Sequence, residues 1–191
     1  MVKELRSQSG AGIMECKSAL KETQGNVEEA ITHLRKKGLA KADKKADRQT
    51  GEGIVGSYIH QGGKIGVMIE LNCETDFVAN TPDFQGLVRD IAMHIAAAKP
   101  RFATREEVTE EVLAKEREIF AHQAKESGKP ENIVEKMVTG KMEKFYEENC
   151  VLEQPFVKDT SVTIGELIKQ KIALLGENIN IRQFSRFEVN G

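Results

Sequence analysis

Several features are missing from this sequence, and each absence excludes a class of function. No apolar run approaches the ~20 residues that a bilayer-spanning helix needs, and the opening residues carry neither a signal nor a transit pattern. Cysteine is scarce: Cys16, Cys73 and Cys150 are far apart and odd in number, so neither a disulfide framework nor a paired CxxC metal site is indicated. Neither sign of charge is in excess. The 28 Lys and Arg face 30 Asp and Glu for a formal charge of −2, which argues against wholesale binding to nucleic acid or an anionic membrane. The signatures GxSxG, HExxH, DFG and GxxxxGKS/T do not occur, and His33, His60, His94 and His122 lack ligand-like spacing. The expectation is a soluble, cytoplasmic chain of a reducing compartment. It is not expected to be an enzyme, or to use a cofactor, a metal, direct nucleic-acid contact or a membrane.

Residues 1–48 carry helical signals. Val2 and Leu5 open one helix, and Ser9-Gly10-Ala11-Gly12 breaks it. A second covers Ile13 to about Thr23, with Met14, Ala19 and Leu20 as inward candidates and Gly25 as its stop. Asn26 caps a third, Glu29 completes a capping box, and Ala30, Ile31 and Leu34 follow at helical spacing. Three short helices lie at the lower limit of independent stability, which suits docking better than catalysis. Arg35, Lys36, Lys37, Lys41, Lys44, Lys45 and Arg48 come next against only Asp43 and Asp47. Gly38 interrupts this stretch, while its alanines favour a helical linker. A basic helix can meet RNA phosphates, but no aromatic platform is interleaved here, so a solvated linker face is favoured.

The period then changes. Ile54–His60 and Lys64–Leu71 read as strands joined through Gln61-Gly62-Gly63 into a hairpin. That disposes of a GxGxxG match at Gly51–Gly56, because a dinucleotide site needs those glycines to open a helix. After the second strand comes Asn72-Cys73-Glu74-Thr75-Asp76-Phe77-Val78-Ala79-Asn80, a short polar loop that sets Phe77 beside Asp76. Thr81-Pro82-Asp83 closes it as a helix start. A loop held at both ends suits residues that touch something else, yet an aromatic there can equally fold back into the core. Spacing leaves both open.

Residues 82–99 predict an amphipathic helix with Phe84, Leu87, Val88, Ile91, Ile95 and Ala98 in one stripe. His94 sits at the margin and reads as a packed, hydrogen-bonded histidine. Thr104-Arg105-Glu106-Glu107 predicts a capping box that opens a charged helix to about Ser127. Gly128-Lys129-Pro130 punctuates, and a second helix runs towards Asn149, making an αα-hairpin. Gln154–Val157 reads as an extended connector. Thr163–Glu166 starts a helix bearing Leu167, Ile168, Ile172 and Leu175 and stopped by Gly176, and Asn178–Val189 reads as a third strand. The expected fold class is α+β. A three-helix docking module with a basic linker occupies 1–48. The core occupies 49–191, with a small antiparallel three-stranded sheet covered on one face by the 82–99 helix and the helical hairpin at about 104–149.

Six runs, taken in order along essentially the whole chain, resemble signatures of the bacterial elongation factor Ts family. They are Leu5-Arg6-Ser7-Gln8-Ser9-Gly10-Ala11-Gly12-Ile13-Met14-Glu15-Cys16-Lys17-Ser18-Ala19-Leu20, Asn72-Cys73-Glu74-Thr75-Asp76-Phe77-Val78-Ala79, His94-Ile95-Ala96-Ala97-Ala98-Lys99-Pro100, Ser127-Gly128-Lys129-Pro130, Gln154-Pro155-Phe156-Val157 and Gly176-Glu177-Asn178-Ile179-Asn180-Ile181-Arg182. Ser9 departs from the family's usual threonine, and Glu15 from its aspartate.

The resemblance implies a guanine-nucleotide exchange factor for elongation factor Tu, acting without covalent chemistry. Its ubiquitin-associated-like first module would dock on the GTPase through Arg6, Ile13, Met14 and Lys17. Thr75, Asp76, Phe77 and Val78 would disturb the partner's Mg²⁺ site, Phe77 as wedge and Asp76 as polar contact. His60 matches a further contact, and Lys45 with Leu175-Gly176 weaker ones. Longer members carry two related core halves where this chain has one sheet-forming copy, so a twofold homodimer is expected. One GTPase would then meet the loop of one subunit and His60 of the other. The rival readings are an RNA-binding translation factor using the 35–48 stretch and a ubiquitin-like-binding adaptor using the first module.

Overall fold

Leu5, Cys16, Ala19, Leu20, Ala30 and Leu34 recur at helical spacing, and they close into one buried cluster. The computed structural model describes residues 1–126 and 128–190. In order the chain forms α1 (Val2–Ser9), α2 (Ile13–Glu22), α3 (Val27–Asp43), β1 (Glu52–Ile59), β2 (Ile65–Cys73), α4 (Asp76–Ala79), α5 (Pro82–Ala98), α6 (Glu110–Lys125), α7 (Glu131–Asn149), β3 (Pro155–Phe156), β4 (Asp159–Thr163), α8 (Ile164–Leu175) and β5 (Asn180–Glu188). One sheet has the order β1-β2-β5, and β3 pairs antiparallel with β4. The fold is α+β. Two compact units result: Met1–Gly56 with Ile69–Asp90 and Glu166–Arg182, and Ser57–Met68 with Ile91–Gly165 and Gln183–Gly191.

In the first unit the helix ends follow capping rules. The Asn26 side chain accepts from the Glu28 and Glu29 amides and donates to Glu29 Oε1 at 2.8 Å. Met14, expected to face inward, is instead 74% exposed. Cys16, Ala19 and Leu20 lie three and four apart on the buried face of α2, and Met14, two residues before Cys16, falls opposite. Gly38 does not interrupt its helix, for α3 runs through it to Asp43. A Cβ there would meet the Ala173 Cβ at 3.3 Å, so the glycine lets α3 and α8 approach closely. Arg35–Glu166 at 2.9 Å and Lys169–Asp43 at 2.7 Å flank that seam. The glycines of the GxGxxG match lie on or just before β1. At Gly56 a Cβ would collide with Val88 of α5, and at Gly53 (φ 153°) with the backbone of Leu71. They serve packing.

In the second unit, the His60 amide bonds the Ile65 carbonyl at 2.8 Å and closes the expected hairpin. Helices α6 and α7 pack around Val108, Leu113, Met142, Phe145 and Cys150. The first of these helices begins later than expected. Residues 105–107 make a single 3-10 turn, and α6 starts at Glu110 with Thr109 accepting from the Val112 amide at 3.4 Å. A capping box on Thr104 would turn the Glu107 carboxylate to the Thr104 amide. That carboxylate instead takes the Ala103 amide at 2.8 Å, where the chain runs beside the end of α7 and the Phe102 amide bonds Asn149 O at 3.0 Å. The expected helix end at Ser127 lies outside the described residues. The stretch beginning at Gln154 is more than a connector, since Pro155–Phe156 is the first strand of the β3–β4 pair.

His94 is buried as expected. Its Nε2 lies 2.9 Å from Gln154 Oε1, and the Gln154 amide nitrogen donates to Glu148 O at 2.7 Å, which turns Oε1 towards the histidine. Nε2 therefore carries the proton, and Nδ1 accepts from the Val157 amide at 3.4 Å. Burial pushes the His94 pKa below its ordinary 6.5. The unfolded chain then binds the extra proton, so stability is complete above the unfolded pKa and declines as pH falls below it. Chemical denaturation across pH 7.5 to 5 is expected to show an added downward slope as pH falls below ~6.5, at most about 1.4 kcal/mol per pH unit for the one proton. A His94→Gln variant should lose that slope; an unchanged slope would assign it to another group.

Candidate functional site

The loop after β2 is not a plain loop. Thr75 sits in extended conformation (φ −133°, ψ 156°) and caps the one-turn helix α4, its hydroxyl 3.5 Å from the Val78 amide. Within that turn Ala79 is buried, Val78 half-buried and Asp76 exposed, while Phe77 is 82% exposed. Ala79 takes the inward position, so Phe77, two residues earlier, points away. Of the two readings left open by spacing, exposure is the one found. Asp76 lies in the first turn, where helix polarity favours a carboxylate.

Three residues that sequence reasoning did not single out hold this turn. Glu177 accepts from the Glu74 amide (3.1 Å), the Thr75 amide (3.0 Å) and the Thr75 hydroxyl (2.6 Å). Glu74 accepts from the Asn178 amide at 2.7 Å and pairs with Arg48 at 3.4 Å. Asn178, buried, donates from its side chain to Ala46 O and Arg48 O. The only sequence signal was an acidic residue directly after the helix-stopping Gly176, in a run singled out by resemblance. Behind the turn, burial pushes the Cys73 thiol pKa up, with the Glu177 charge adding to it.

The other candidate residues fall at separate places. Ile13, Met14 and Lys17 are exposed along one side of α2, with Lys17 one turn beyond the two apolar residues, and Arg6 is exposed on α1. Lys45 is half-buried and its ammonium donates to Gly176 O, so these two are brought together within the chain; Leu175 is half-buried at the end of α8. His60, in the second unit, is exposed at the hairpin turn with Nδ1 3.1 Å from the Tyr58 hydroxyl.

Two surfaces bear on the rival readings. Of the seven basic residues at 35–48, four already have partners: Arg35 with Glu166, Lys41 with Glu15, Lys45 with Gly176 O and Arg48 with Glu74. In the second unit the hairpin bond and the Val189 amide to Lys64 O bond set Ile59 and Phe187 opposite Gly66. Ile59, Met68, Phe187 (67%) and Val189 are all exposed there, so an apolar face is left uncovered. Among the described residues no His/Cys/Asp/Glu group could hold a metal ion, and no helix is long and apolar enough to cross a membrane.

Residues 2–191 match the family model described as Elongation factor TS. Proteins named Elongation factor Ts from Carboxydothermus hydrogenoformans and Solibacter usitatus are 59% and 57% identical over 189 residues, covering 99% of this chain and 87% and 89% of theirs. One from Fervidobacterium nodosum is 58% identical over 189 residues, covering 99% of this chain and 96% of its own.

The exposure of Phe77 fixes a stability outcome. Truncating a core phenylalanine costs about 3–5 kcal/mol, whereas exposed positions usually stay within about 0.5 kcal/mol. Phe77→Ala is therefore expected to melt within about 2 °C of the parent protein in calorimetry. A fall of 8 °C or so would make the side chain structural.

Proposed function

The chain belongs to the elongation factor Ts family, and on that premise we propose that it is a guanine-nucleotide exchange factor for elongation factor Tu in translation, acting in the cytoplasm. The observation that carries this is a large aromatic held out to solvent on a capped turn. Phe77 wedges against the switch helices of the GTPase and disturbs its Mg²⁺ site, with Thr75, Asp76 and Val78 shaping the contact. GDP loses its ion and leaves. No bond is made or broken, so the chain is an exchange factor rather than an enzyme. Factor and nucleotide favour different states of one partner, and each weakens the other by the same factor. The three-helix, ubiquitin-associated-like module docks through Arg6, Ile13, Met14 and Lys17; the exposed apolar pair beside a lysine supports that role. His60 is a second contact with the GTPase, and Lys45 and Leu175-Gly176 are weaker ones. RNA binding by the 35–48 stretch is disfavoured, because four of its cations already have partners within the chain.

Stopped-flow release of a fluorescent GDP tests the wedge. Losing a buried aromatic anchor commonly costs about 2 kcal/mol, so Phe77→Ala is expected to slow release on the order of tenfold or more. Asp76→Ala should have a smaller effect in the same direction, as a rim carboxylate tunes more than it anchors. Normal release by a folded Phe77→Ala variant overturns the proposal.

The assembly proposed is a twofold homodimer in which a GTPase meets the loop of one subunit and His60 of the other. The uncovered face of Ile59, Met68, Phe187 and Val189 is what a second copy would cover, since a C₂ interface is self-complementary. Light scattering at micromolar concentration is expected to give twice the chain mass, and Phe187→Asp to give the monomer. A parent protein that scatters only as monomer counts directly against the dimer.

A further inference from the structure

We propose that Glu177 is a positioning residue for exchange, holding the Thr75–Val78 turn in the pose from which Phe77 acts; this rests on the function proposed above. Two segments 102 positions apart in sequence are clasped reciprocally. From the α8–β5 turn, Glu177 takes the backbone of the loop: Oε2 accepts the Glu74 and Thr75 amides at 3.1 and 3.0 Å, and Oε1 the Thr75 hydroxyl at 2.6 Å. From the loop, Glu74 takes the backbone of that turn, accepting the Asn178 amide at 2.7 Å. These bonds to a carboxylate are charge-assisted and stronger than neutral ones. They fall on Glu74 and Thr75, the cap of α4 and the residue before it, so they set where the turn begins and which way Phe77 leaves it. Gly176, at φ 85°, brings the chain out of α8 so that Glu177 can reach back.

The clasp also reaches the segment after α3. Asn178 donates to Ala46 O at 3.0 Å and Arg48 O at 2.8 Å, Arg48 pairs with Glu74 at 3.4 Å, and Lys45 donates to Gly176 O. Both oxygens of the half-buried Glu177 carboxylate are engaged on Glu74 and Thr75, so its effect on exchange is assigned to the turn it holds.

The test uses the full chain with Glu177→Ala and Glu177→Gln beside Phe77→Ala. It reads amide hydrogen exchange of residues 74–79 in the free protein and GDP release as a function of factor concentration. Glu177→Ala is expected to speed exchange of the Glu74 and Thr75 amides at least about tenfold and to slow maximal release by about tenfold. The half-saturating concentration should shift less than about twofold, since docking through α2 is untouched. Glu177→Gln keeps an acceptor oxygen for the amides and should recover most of both; should the alanine variant melt too low, Glu177→Asp, whose carboxylate is held one methylene short of the amides, carries the same comparison. Retained protection of the Glu74 and Thr75 amides in Glu177→Ala overturns the inference. So does lost protection with normal release while Phe77→Ala is slow, which leaves the proposed function standing. Normal release by Phe77→Ala overturns the proposed function instead.

Discussion

A helix of four residues cannot hold itself, because nucleation fixes several residues for the first hydrogen bond gained. That constraint governs the candidate site. α4 persists because Thr75 caps it, Ala79 is buried beneath it and Glu177 grips the residues where it starts. The grip requires the end of α8 to lie beside the end of β2, which the first unit provides. An exposed phenylalanine on an unsupported loop would collapse onto any apolar neighbour. On this turn it stays outward, and the ordering cost of binding is met in the free protein.

Local features were legible in the sequence. The stripe Phe84–Ile95 is buried, the hairpin closes at His60 and Ile65, and the Asn26 side chain caps α3, since each depends on residues a few positions apart. Misreadings arose where a distant segment competed. Thr104 had the local pattern of a helix start, but the end of α7 lies beside the chain there and Glu107 was drawn to Ala103. Gly38 looked like a break until Ala173, on a helix far along the chain, gave it a reason. Phe77 could not be assigned from spacing, as an aromatic in the middle of a short loop satisfies either reading; the inward alanine decided it. Glu177 was marked only by its place after Gly176 and could not be given a role, because no local rule links a residue after one helix to the amides before another.

Identical residue patterns thus take their meaning from the element that receives them. Glycines spaced GxGxxG ahead of a helix would leave amides free for phosphate. Within β1 they admit the backbone of Leu71 and the side chain of Val88. Clustered cations beside aromatics would suit RNA; here Arg35, Lys41, Lys45 and Arg48 are taken up by carboxylates and a carbonyl of the same chain. A near-neutral composition is what such pairing needs.

The two departures from the family pattern follow the same logic. The Ser9 hydroxyl donates to Leu5 O at 2.7 Å and accepts from the Ala11 amide at 3.3 Å, two bonds that a threonine hydroxyl makes equally well. Glu15 reaches back to the Gly12 amide at 3.3 Å and forward to Lys41, whose ammonium holds its carboxyl below the usual range. Both side chains stitch the turn between α1 and α2 by accepting from its backbone amides, Ser9 from Ala11 and Glu15 from Gly12. Neither stands among Ile13, Met14 and Lys17, which that turn presents to solvent. The bonds of both residues stay local to the helices they join, so neither departure alters what Ile13, Met14 and Lys17 present to solvent.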